Sequence, residues 1–149
     1  MIKKTISIIT ILFLMVLALV VLQKTFIKKS GKVCFEGNCF NVDVSTTPEE
    51  RSRGLMFKES LDINQGMLFV FDKNDIYPFW MKNTLISLDI IWINKEKEIV
   101  FIKETASPCE EKFCTTINPS VVAKYVLEIN GGLSGKIGIQ VGDKISIEY

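Results

Sequence analysis

Histidine is absent from the 149 residues, which removes imidazole general bases, Ser-His and Cys-His nucleophile pairs and histidine-held metals in one step. Acidic residues are absent from residues 1 to 32, where Lys3, Lys4, Lys24, Lys28, Lys29 and Lys32 stand alone, so 12 basic side chains meet 17 acidic ones from Val33 onward. A body of that sign repels phosphate backbones and argues against nucleic acid as a partner. An N-glycosylation sequon is missing too, because Asn118-Pro119-Ser120 carries the forbidden proline. Internal repeats and low-complexity tracts are lacking, and the length leaves room for one compact core.

Charge is also missing from Thr5 to Gln23, a run of 19 residues. As a helix rising about 1.5 Å per residue it nearly covers the roughly 30 Å hydrocarbon core of a bilayer, and lysines flank both ends, where they can snorkel. The pattern predicts a basic N-terminus over 1–4, a single transmembrane signal anchor over 5–23, a basic polar linker over 24–32 and a globular domain over 33–149. A cleaved signal peptide ending at Val16-Leu17-Ala18 fits less well, since the cut would leave Leu19-Val20-Val21-Leu22 as an apolar mature end. The lysines on the two sides nearly balance, so the positive-inside rule does not orient the segment.

Cysteine is present in two local pairs, Cys34-Phe-Glu-Gly-Asn-Cys39 and Cys109-Glu-Glu-Lys-Phe-Cys114. With Glu36-Gly37 as a two-residue hairpin loop, Phe35 faces Asn38, and Cys34 faces Cys39 at a non-hydrogen-bonded position, where Cα atoms stand about 4.5 Å apart and can be bridged. Two disulfides are favoured over a zinc site built from all four cysteines, whose usual spacing is about two to four residues. Oxidised pairs then place the domain on the extracytoplasmic side of the cell membrane, single-pass, with the bilayer as partner through the N-terminal helix.

The rest of the chain reads as strand with scraps of helix. Phe40 to Val44 alternates with period two, and strand-like runs recur at Met67 to Phe71, Phe79 to Asn83, Leu88 to Ile93, Ile99 to Lys103, Tyr125 to Ile129 and Lys144 to Tyr149. Thr47 as N-cap, Pro48 at the first helical position, Glu50 completing a capping box and Gly54 as stop mark a short helix, and Leu133 to Ile137 could form one more turn. Asn94 to Glu98 reads as a charged hairpin tip, and Ser107 to Ser120 as the longest irregular loop. Many short strands separated by turns argue for a mainly β sandwich or barrel.

Taken in order, Arg53-Gly-Leu-Met56, Gly66-Met-Leu-Phe69, Phe79-Trp-Met-Lys-Asn-Thr84, Leu88-Asp-Ile-Ile91, Ala106-Ser-Pro108, Tyr125-Val-Leu-Glu128 and Gly142-Asp143 give a pattern that resembles the domain of unknown function family number 192, also called uncharacterised protein family 0127. The resemblance runs from about Asn41 to Tyr149. It implies a compact, jelly-roll-like, mainly β domain, often secreted or membrane-anchored, with no established activity or catalytic residues. The sequence departs from the family pattern at Ser87, where proline is usual, and at Trp92, where a smaller ring is usual.

Polar residues set in apolar strands mark candidate sites, because a buried charge is costly unless paired. Arg53, Trp80, Lys82, Asn83, Asp89 and Glu128 are the expected binding residues of a concave face. The favoured reading is a membrane-anchored ligand-binding or interaction module without a cofactor. One alternative is a small hydrolase or lyase, with Asp89 and Glu128 as paired carboxylates and Lys82 tuning them. Another is a Cu(I)-handling domain using the thioethers of Met56, Met67 and Met81, against which stands the commoner role of methionine as core filler.

Overall fold

The computed structural model describes residues 9–17 and 29–149. Residues 9–17 are helical, α1, and carry exposed apolar side chains such as Leu12, Phe13 and Leu14. Among the described residues no helix is long and apolar enough to cross a membrane. The expected transmembrane anchor over 5–23, the bilayer as partner and the single-pass, extracytoplasmic placement in the cell membrane are corrected to that extent: the described residues hold no spanning helix to support them. The remainder of that stretch, residues 1–4 and residues 24–28 lie outside the described residues.

The domain is one large open sheet with short helices on its faces. Strand β1 (Lys29–Phe35) turns through Glu36-Gly37 into β2 (Asn38–Ser45). Both turn residues have positive φ, 39° and 91°, the pattern of a hairpin whose twist matches its strands. Cys34 faces Cys39 with Cα atoms 4.1 Å apart, and the two sulfurs are bonded. Helix α2 (Pro48–Arg53) follows, with the capping box of Thr47 and Glu50 complete. Next come β3 (Gln65–Asp75), β4 (Phe79–Trp80), β5 (Leu88–Ile93), β6 (Ile99–Ala106), β7 (Thr116–Ile117), β8 (Ala123–Asn130), α3 (Leu133–Ile137) and β9 (Ser146–Glu148).

Seven strands form the main sheet in the order β6-β5-β8-β3-β2-β1-β9, and β4 pairs with β7 in a small second sheet. The β2–β3 pair is parallel. A parallel pair needs a crossover out of the sheet, and that excursion carries α2 over one face. The passage from β8 to β9 carries α3. Each face buries its own apolar cluster. Val42, Leu68, Ile91, Leu127, Ile129 and Leu133 lie on the α3 side, while Leu55, Met67, Phe69, Ile90, Trp92 and Val126 lie on the α2 side. Strand β5 is buried at all six positions, as a strand covered on both faces must be.

The expected jelly-roll-like sandwich or barrel is thus corrected to a mixed α/β fold around one mostly open sheet. The two ends of the sheet approach where Ile99 donates to the Asp143 carbonyl and Gly142 donates to the Ile99 carbonyl, both at 2.9 Å. This contact and the isolated Glu98–Lys144 bridge do not amount to a strand ladder that would close it.

Candidate functional site

The sheet register separates two carboxyl groups that the sequence alone leaves together. Asp89 of β5 faces Ile129 of β8, and Ile90 faces Glu128. Neighbours along a strand point to opposite faces, so Asp89 shares the α3 face with Ile91 while Glu128 shares the α2 face with Val126. No cleft can hold both. The expected hydrolase or lyase built on paired Asp89 and Glu128 is corrected on that ground.

Asp89 is fully buried and saturated with donors. Oδ1 accepts the backbone N–H groups of Thr105 at 2.7 Å and Gly132 at 2.8 Å, and Oδ2 accepts the Ser134 N–H at 2.7 Å and the Ser134 hydroxyl at 2.6 Å. Gly132 is the N-cap of α3 and has no side chain to offer. Asp89 does that work from the sheet and ties α3 to β5, with no lysine or arginine among its hydrogen-bond donors.

On the other face a cleft runs between the C-terminal turn of α2 and the segment after β4. Its lining includes Arg53, Met56, Trp80, Lys82, Thr84 and Glu128, and its free space is about 20 Å³. Glu128 forms the floor, with Met67 of β3 opposite on one side and Ile90 of β5 on the other. It keeps 5% exposure, and its buried Oε2 has no hydrogen-bond partner. Burial raises its pKa from 4.5 to about 8, because nothing nearby compensates the loss of hydration. Near pH 7 the group is a neutral acid, able to donate.

Cations stand at the rim. Lys82 lies with its ammonium 5.3 Å from the centre of the Trp80 ring, a cation–π contact on a ring that is itself 45% exposed. Arg53 is exposed at the end of α2. Arg51, by contrast, is committed to structure: its guanidinium donates to the carbonyls of Thr46 at 2.6 Å and Val70 at 3.0 Å and lies 4.9 Å from the centre of the Phe71 ring.

The rim is held in an uncommon backbone geometry. The Phe57 N–H donates to the Asn83 carbonyl at 2.8 Å, and the Asn83 N–H donates to the Cys109 carbonyl at 2.8 Å. Phe57 and Asn83 both occupy the left-handed region, with φ of 62° and 54°. Such conformations cost energy in non-glycine residues and concentrate at sites the surroundings over-determine. Gly54, at φ 48°, closes α2 where an added Cβ would stand 3.3 Å from the Phe69 ring.

Of the expected binding residues, the cleft unites Arg53, Trp80, Lys82 and Glu128; Asn83 stands between the lining residues Lys82 and Thr84 without lining it, and Asp89 is excluded. Trp92 is not a face residue. It is wholly buried, donates to the Tyr77 carbonyl at 2.8 Å and packs edge-to-face on Phe79 and Phe101. Sequence reasoning missed Thr84 and Leu55, both buried at the cleft. Thr84 could have been noticed as the polar end of the Phe79 to Thr84 motif.

The copper reading is corrected as well. Met67 and Met81 are buried in the apolar cluster under α2, and the Met56 sulfur is taken up by a long 4.0 Å contact from the Asn83 amide. The thioethers therefore act as core filler and form no copper cluster. Among the described residues no group of three or more His, Cys, Asp or Glu could hold a metal ion. All four cysteines are in disulfides, Cys34–Cys39 and Cys109–Cys114, which leaves no thiolate for zinc.

Comparison with known proteins returns the same fold without an activity. The family model described as DUF192, Uncharacterized ACR, matches residues 13–147. A protein of unknown function from Novosphingobium aromaticivorans is similar at 35% identity with a TM-score of 0.72, over 80% of this chain and 84% of that one. A Sinorhizobium meliloti protein described as a transcription regulator is similar at 30% identity with a TM-score of 0.71, over 80% of this chain and 92% of that one. No curated protein matches.

Proposed function

This chain belongs to the DUF192 family, and from that footing we propose that its α2-side cleft is a binding site for the anionic end of a small organic molecule. The observation that carries the reading is Glu128, a buried acid with an unpartnered oxygen at the floor of a cleft rimmed by cations. A neutral carboxyl donates a hydrogen bond to an incoming oxyanion and does not repel it, and Lys82 and Arg53 supply the balancing charge. Phe69, Phe79 and Leu55 give apolar walls, and the exposed Trp80 ring gives a platform beyond the mouth.

Size narrows the ligand. With free space of only about 20 Å³ the cleft falls far below the ~300 to 1,000 Å³ of sites that enclose a whole drug-sized molecule. It admits little more than one oxygen of a carboxylate or comparable oxyanion, with the rest of the ligand lying out over Trp80. A nucleic-acid ligand finds less support, since 12 basic residues against 17 acidic ones from Val33 onward leave a negative body.

The test is a titration of the full-length chain with benzoate, acetate and inorganic phosphate, followed by tryptophan emission, with Trp80→Phe removing the response that the exposed ring carries. At least one probe should give a saturable change, and Lys82→Ala should weaken it about tenfold, the size of one lost charge-assisted contact. Lys144→Ala, which removes an exposed pair with Glu98 elsewhere, should leave it unchanged. No saturable response to any of the three probes, or equal loss in both variants, sinks the reading.

A further inference from the structure

The second disulfide lies against the cleft, and its backbone contacts are unlike those of the first. Cys109 makes isolated β-bridges with both Lys82 and Thr84, and its carbonyl accepts the Asn83 N–H at 2.8 Å between them. Asn83 in turn holds Phe57 on the α2 side. One residue of the disulfide thus contacts the wall residues Lys82 and Thr84 and, through Asn83 between them, reaches the opposite lip.

We propose that the Cys109–Cys114 disulfide is the positioning clamp of the cleft wall, so that reducing this one bridge loosens the wall and weakens anion binding while the sheet stays folded. The inference rests on the binding function proposed above and concerns its regulation.

Three observations carry it. Cys109 is half-buried against the apolar cluster under the cleft, so it is the anchored end. Cys114, half-buried itself, sits at the other end of an exposed turn, beside Phe113 at 82% exposure, so the bridge lies at the surface side of the wall. Beyond the buried side chains of Met81 and Thr84 and the packing of Phe79, the wall has little backbone pairing to hold it. The nearest strand pairing is the two-residue ladder Phe79–Ile117 and Trp80–Thr116, while Asn83 and Phe57 keep a left-handed backbone that relaxes once its support is gone. The Cys34–Cys39 bridge is the opposite case. It closes a hairpin already held by pairing all the way from Lys29–Val44 to Phe35–Asn38, so its loss changes little locally.

The step is an ordinary thiol–disulfide exchange with a dithiol. The Cys109–Cys114 S–S bond breaks, two electrons and two protons pass to the two sulfurs, and the dithiol closes to its own disulfide.

The experiment uses the full-length chain carrying Cys34→Ser and Cys39→Ser, in which Cys109–Cys114 is the one remaining bridge, before and after dithiothreitol. Amide exchange is read at Phe57 and Asn83, and at Gly132 and Ser134, whose N–H groups bond to Asp89 on the other face. Binding of benzoate, acetate and inorganic phosphate is read from tryptophan emission. Reduction should speed exchange at Phe57 and Asn83 at least about tenfold, leave Gly132 and Ser134 unchanged as separately opening units do, and weaken binding of the responding probe by a similar factor. Unchanged exchange at Phe57 and Asn83 overturns the clamp, and so does equal acceleration at all four amides. Unchanged affinity after reduction overturns the regulation. Should the oxidised protein bind none of benzoate, acetate and phosphate, the binding reading fails while the amides still decide the clamp. If the serine variant does not fold, Cys109→Ser with Cys114→Ser against the unaltered chain reads the same four amides.

Discussion

Asp89 and Glu128 are both buried carboxyl groups in central strands, and their surroundings give them opposite tasks. Asp89 receives four donors and is spent on holding α3. Glu128 has an orphaned oxygen and a pKa pushed up to about 8. That rise has a definite consequence for stability. Between 4.5 and about 8 the folded protein keeps a proton that the unfolded chain has released. Stability therefore falls as pH rises through that window and levels off above it. Glu128→Gln should flatten the dependence and leave the variant more stable than the parent at pH 9, by an amount on the order of a few kcal/mol. Urea denaturation at pH 5, 7 and 9 checks this, and parallel pH profiles for the two proteins would contradict it.

At the scale of elements, the excursion from β2 to β3 shapes the cleft. The parallel β2–β3 pair forces the chain out of the sheet, and the box formed by Thr47 and Glu50 starts α2 there. Gly54 then stops the helix at φ 48°, against Phe69, and delivers Leu55 and Met56 to the cleft edge. Gly54→Ala puts a Cβ into a left-handed turn and a tight contact at once. It should cost about 1 to 3 kcal/mol, measurable as a lowered urea midpoint with an unchanged slope. An unchanged midpoint would mean the turn adapts freely. β4 is a second case in which context outweighs local pattern. Phe79 to Asn83 reads as one strand, yet only Phe79–Trp80 pairs, and the rest turns so that Lys82 and Thr84 meet Cys109.

For the whole molecule, the main fact is a sheet with two separately used faces, one bound to α3 through Asp89 and one open as the Glu128 cleft. Residues without shared partners contribute independently. Asp89→Asn places an amide where the Ser134 N–H and hydroxyl now donate and should cost about 3 kcal/mol, the range of a buried polar network left unsatisfied. Combined with Glu128→Gln, the two changes should add to within about 0.5 kcal/mol. A larger coupling in the double-mutant cycle would mean that the two carboxyls communicate through the sheet.

Much of this architecture is local and was legible in the residues. The Cys34/Cys39 hairpin register, the capping box, the strand at Leu88–Ile93 and the turn of helix at Leu133–Ile137 each depend on neighbours a few positions away, and a sequence carries such information directly. The absence of histidine narrowed the chemistry, and the ordered motifs pointed to the family before any coordinate. Strand order, sheet closure and the facing of Asp89 away from Glu128 were not legible, because they follow from pairings between residues far apart in the chain, and a shift of one position in register reverses every side chain. Composition determined that strands would form and which residues they would bury. Only the tertiary pairing decided that Arg53, Trp80, Lys82 and Glu128 share a cleft and that Asp89 lies behind it.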